Sequence, residues 1–94
     1  MNYAPFVMNT LDDPERWREL DPVQRRIVLF WIERHISPRS RINKLAHAFK
    51  LKNILLHDTG LFISTGAFKG AMIEVGYFPI EPSDSNPYYR INLH

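Results

Sequence analysis

The sequence predicts an α+β domain, with its helices first and a two-stranded antiparallel hairpin last. Three observations carry this expectation. The dipeptides Asp13-Pro14 and Asp21-Pro22 each announce a helix, because Asp caps the free N–H groups and Pro suits the first helical position. Residues 60–76 read as a short buried strand, a cap and a helix rich in small residues. In 88–93, Tyr89, Ile91 and Leu93 alternate with Tyr88, Arg90 and Asn92, the period of a half-buried strand.

A short helix runs over 15–20, and a longer one over 22–36. The second places Val23, Ile27, Phe30, Trp31 and the stem of Arg34 at near-helical spacing, with Val28, Leu29 and Ile32 on other sides. That is too much apolar surface for a one-faced helix, so it is either the central helix or has one face serving a dimer or partner. Ser37-Pro38 ends it, and Ile42, Leu45, Ala46 and Phe49 predict a third helix over 39–50. Residues 51–56 extend that helix or form a short strand, with a boundary favoured at 52–53, and 57–60 is a turn. A strand over 61–64 precedes Thr65, which caps a helix over 66–75 closed by Gly76 in a left-handed conformation. Gly66 and Gly70 lie one turn apart in this helix. Each costs roughly 1 kcal/mol against Ala, so close approach of another backbone is expected there. Strands 77–80 and 88–93 form the hairpin, with the polar loop 81–87 between them. The core is expected where Phe68, Met72 and Val75 meet Ile27, Trp31, Leu45 and Phe49. Residues 1–12 read as an N-terminal arm and 13–94 as one domain. A compact helical unit closed by such a hairpin is winged-helix-like.

Composition narrows the function. A chain of 94 residues with 45% hydrophobic residues holds one packed core. It has no cysteine, hence no disulfide or thiolate site, which fits a cytoplasmic setting. The longest apolar run, at 27–32, is six residues, against roughly 18 needed to span a bilayer. No membrane role is expected. Net charge is +2, but residues 1–52 carry ten Lys/Arg and six Asp/Glu, while 53–94 carry two and four. A basic half facing an anionic partner follows from that asymmetry.

Chemistry of other kinds lacks a signature. His35, His47, His57 and His94 form no His-x-x-x-His pair, so no metal or other cofactor is expected. Ser64-Thr65-Gly66 precedes a helix but lacks the Gly-rich run and Lys-Ser/Thr ending of a phosphate loop. The chain therefore reads as a non-enzymatic binding module. The nucleic-acid candidates are Arg39, Arg41, Asn43, Lys44, Lys50, Lys52 and Lys69, the cations for phosphates, with Asn43 and Lys69 able to reach base edges. The competing candidates are aromatic anchors for a protein partner: Trp17, Tyr77 and Tyr88.

The segments Ser40-Arg-Ile-Asn-Lys-Leu-Ala-His-Ala-Phe, 60–77 and Asn86-Pro-Tyr-Tyr-Arg-Ile resemble small winged-helix-like proteins of bacteriophages and integrative elements. The resemblance covers about residues 37–92, and that group has no settled activity. It implies a mobile genetic element inside a bacterial host cell. That setting implies one of two roles: DNA-binding regulation, or inhibition of a host defence complex in the manner of anti-CRISPR or anti-restriction proteins. A homodimer is compatible with either.

Overall fold

The structure is a computed structural model that describes residues 12–94, so the arm expected over 1–12 falls outside it except for Asp12. The class is α+β. A 3-10 turn, Pro14–Glu19, comes first, capped by Asp13, whose carboxylate accepts from Glu15 N–H at 2.9 Å. Helix α1, Pro22–His35, starts with a full capping box. Gln24 N–H donates to Asp21 Oδ1 at 2.8 Å, and Asp21 N–H donates to Gln24 Oε1 at 3.2 Å. It stops where Ser37, preceding Pro38, is driven into extended backbone.

The segment after α1 departs from the helix its spacing predicts. Residues 36–47 form strand β1, Ile36–His47. Ile42, Leu45 and Phe49, expected inside, are exposed, and only Ala46 of that set is buried. Helix α2 is Ala48–Thr59, so 51–56 is helix and no boundary falls at 52–53. His47 caps it, its Nδ1 accepting from Lys50 N–H at 3.1 Å. The expected turn at 57–60 is its last turn plus Gly60, left-handed at φ 78°. Residues 61–64 are not part of any strand.

Helix α3, Thr65–Val75, has Ser64 rather than Thr65 as its cap, accepting from Ala67 N–H at 3.1 Å. Gly76 closes it at φ 112°, and Tyr77 N–H reaches back to the Met72 carbonyl at 2.8 Å, the bond of a Schellman motif. Gly66 and Gly70 have the close neighbour their cost demands. A Cβ on Gly66 would collide with the Asp13 backbone, and one on Gly70 with the Pro14 carbonyl and the Trp17 side chain. The 3-10 turn thus lies directly against α3.

Strand β2, Tyr88–Leu93, pairs antiparallel with β1, Ile36 opposite Leu93 and Pro38 opposite Ile91. The two-stranded element expected at the C-terminus is there, but its other strand is β1. Residues 77–80 are joined to β2 only by Ile80 N–H to the Tyr88 carbonyl at 3.0 Å. The element order is therefore helix, strand, two helices, strand.

The core gathers Val28, Trp31 and Ile32 from α1, Leu51 and Leu55 from α2, Phe68, Ala71 and Met72 from α3, and Tyr89 and Ile91 from β2. Trp31 meets Phe68 edge-on at 6.4 Å between centroids. Of the predicted core, Phe68, Met72 and Trp31 are buried. Val75, Ile27, Leu45 and Phe49 are exposed. α1 buries Val28, Trp31 and Ile32, which turns Val23, Ile27 and Phe30 outward.

Candidate nucleic-acid interface

The two strands hold no Asp or Glu. Between them they carry Arg39, Arg41, Lys44 and Arg90. Their register breaks twice. Pro38 faces Ile91 and Asn43 faces Tyr89, so residues 39–42 stand opposite Arg90 alone. His47 then faces Tyr88, so 44–46 stand opposite nothing. These extra residues must leave the ladder as a bulge, on which Arg41, Ile42, Lys44 and Leu45 are exposed while Ala46 turns into the core.

The bulge is stapled by its own side chains. The Arg39 guanidinium donates through Nε to the Arg41 carbonyl at 2.9 Å, and through Nη2 to the Ile42 carbonyl at 2.7 Å. Asn43 replaces lost ladder bonds. Its Nδ2 donates to the Ile91 carbonyl at 3.1 Å, and its Oδ1 accepts from Leu45 N–H at 2.9 Å. Arg41 and Lys44 on the bulge and Arg90 opposite remain outside, all exposed and, among the described residues, in no ion pair. Lys50, exposed, is the third residue of α2, just past His47.

The other predicted nucleic-acid residues are committed elsewhere. Lys52 is buried, its ammonium 4.9 Å from the Phe49 ring and 4.8 Å from the Phe62 ring, and burial lowers its pKa. Lys69 is buried as well, with Nζ 3.4 Å from the Asp84 carbonyl. Neither reaches solvent as a recognition group would. Of the protein-partner set, Trp17 is buried, its indole N–H donating to Glu74 Oε1 at 2.8 Å. The Tyr77 hydroxyl, its pKa raised by burial, donates to the Ile36 carbonyl at 3.3 Å. Tyr88 stays exposed and packs edge-on against His47.

Sequence reasoning missed Arg90. The signal was present: the alternation that buries Tyr89 and Ile91 turns Arg90 outward. Among the described residues no three His, Asp or Glu gather as metal ligands, and no helix is long and apolar enough to cross a membrane. Comparisons with known proteins give no guide: no family model matches the chain, and no curated protein and no solved structure matches it.

Proposed function

We propose that this chain is a non-enzymatic nucleic-acid-binding module in the winged-helix style, serving a phage or mobile element, and that its basic ribbon is the contact surface. One observation carries the reading. The paired strands present Arg41, Lys44 and Arg90 with no carboxylate on either strand. Cations left unpaired on a protein surface are what a phosphate backbone neutralises, with counterion release as the gain. The Arg39 staple fixes the backbone that carries Arg41, so less conformational freedom is lost on binding. The two deeply placed lysines and the occupied Asn43 amide leave few groups for base edges. Phosphate contacts position without reading sequence, so the module is expected to bind duplexes with little sequence preference. Titration of duplex binding against salt tests this. The slope of log K against log salt should be steep, near −0.9 per phosphate contacted. Absence of binding to duplex and to single strands at low salt removes the proposal.

A second reading, a protein-directed inhibitor of a defence complex, draws on a different observation. Phe49, Phe62 and Phe78 are large and exposed, two of them flanking Lys52. Aromatic anchors supply most of the energy at protein interfaces. With Trp17 buried and Tyr77 half-buried and bonded to the Ile36 carbonyl, Phe62 and Tyr88 take over as the anchors to truncate. Pull-down from host lysate with nuclease present should then recover a protein at moderate salt, and Phe62→Ala should weaken it by about 2 kcal/mol. Recovery of nucleic acid alone, lost on nuclease treatment, rejects this reading.

A further inference from the structure

Helix α1 has two apolar faces, and the fold uses one. Val28, Trp31 and Ile32 are buried, while Val23, Ile27 and Phe30 are 57%, 38% and 61% exposed. These three fall at i, i+4 and i+7, a single stripe along the outer face. Arg34 extends it, its guanidinium lying 5.4 Å from the Phe30 ring centre. A groove of about 450 Å³ runs beside the stripe, lined by Arg26, Ile27, Leu29, Phe30 and Glu33.

The rim of that groove is charged in a particular way. Arg26 and Glu33 lie seven positions, or two helical turns, apart, so they share one flank of the stripe. Both are exposed, and among the described residues neither forms an ion pair within the chain. One flank therefore carries a plus near one end of α1 and a minus near the other. A two-fold axis across the helix, close to residues 29 and 30, reverses that order in the second helix. Arg26 then meets the partner's Glu33, and Glu33 meets the partner's Arg26. In the same register Ile27 lies within about 3 Å along the helix of the partner's Phe30, and Val23 within about 3 Å of the stem of the partner's Arg34. An isologous interface requires this reciprocity, in which one residue meets a second and the second meets the first. A random partner would match the apolar stripe, but not the plus-to-minus order on its flank.

We infer that the outer face of α1 is the interface of a homodimer in which two copies of the helix pair antiparallel through Ile27 and Phe30, with reciprocal Arg26–Glu33 contacts. The apolar residues bury against their copies and supply the affinity. The charges fix antiparallel order and register, since a parallel or slipped pairing sets like charges together. The dimer does not depend on the ribbon, because the stripe and the basic bulge occupy different elements.

Sedimentation across a concentration series tests the inference on the full chain. The wild type should self-associate to a dimer. Phe30→Glu should give a monomer with an unchanged circular dichroism spectrum, because the ring is exposed in the single chain. Arg26→Glu and Glu33→Arg should each weaken the dimer by about tenfold, by turning two attractions into repulsions. The double variant should restore it to within about threefold of wild type. Because the chain has no cysteine, engineered cysteines report geometry cleanly. Phe30→Cys, near the axis, should cross-link to its own copy. Val23→Cys should not, since its copy lies roughly 20 Å away along the helix at 1.5 Å per residue. A wild type that stays monomeric at every concentration overturns the inference. So does a dimer indifferent to Phe30→Glu and to both charge reversals, and so does Val23→Cys cross-linking in preference to Phe30→Cys.

Discussion

At the scale of single residues, Tyr89 shows how packing overrides polar satisfaction. Its ring is fully buried in the core, yet among the described residues its hydroxyl has no hydrogen-bond partner. Burial drives its pKa far above the ordinary tyrosine value, so the group stays neutral. A buried hydroxyl without a partner costs about 1–3 kcal/mol. Tyr89→Phe keeps the ring and removes the cost. Stability by chemical denaturation should therefore rise by about 1 kcal/mol; a fall would mean that the hydroxyl has a partner. Trp31 is the opposite case. Its indole N–H donates to Asp58 Oδ2 at 2.8 Å, and that bond is the main cause of the lowered pKa of Asp58. One tryptophan thus ties the core to the end of α2.

At the scale of elements, caps were legible and the long strand was not. Asp13, Asp21 and Gly76 act where the sequence places them, because a cap is a local bond between neighbours. β1 hid because Ile42, Leu45 and Ala46 on the bulged strand fall by accident at helical spacing with Phe49 of α2. Its pairing with β2 lies some 50 residues away in sequence, beyond any local pattern, and long-range packing outweighs propensity. The ribbon's cations were legible as a basic half, whereas Arg90 needed the partner strand to be known. The burial of Lys52 and Lys69 was illegible, because a lysine stem lies along an apolar surface without altering sequence periodicity. The glycines of α3 were legible through their cost, and they yield a prediction. Gly70→Ala should improve helix propensity by roughly 1 kcal/mol. The new methyl would strike Pro14 and Trp17. Overpacking of this kind costs about 1–3 kcal/mol, occasionally more. The melting temperature should fall; a rise would show that the 3-10 turn moves aside freely.

At the scale of the whole molecule, charge and apolar surface are divided among different elements. Acidic residues lie on the 3-10 turn and the helices, just before the 3-10 turn and the first helix, and in the 81–87 loop, and none lies on the paired strands. The acids of the 3-10 turn already hold cations: Arg16 pairs with Glu19, and Arg18 with Glu15. Net charge is therefore a poor guide here, and the location of unpaired cations is a better one. That contrast supplies the most direct measurement. Arg41→Ala with Lys44→Ala removes two charges from the ribbon, and Arg16→Ala with Arg18→Ala removes the same two from the turn. Both doubles should be compared with wild type in duplex binding across a salt series. The ribbon double should lower the salt slope by about two, one per lost phosphate contact, and the turn double should leave it near wild type. Equal losses from the two doubles, or an unchanged slope in the ribbon double, would contradict the assignment of the ribbon as the nucleic-acid interface.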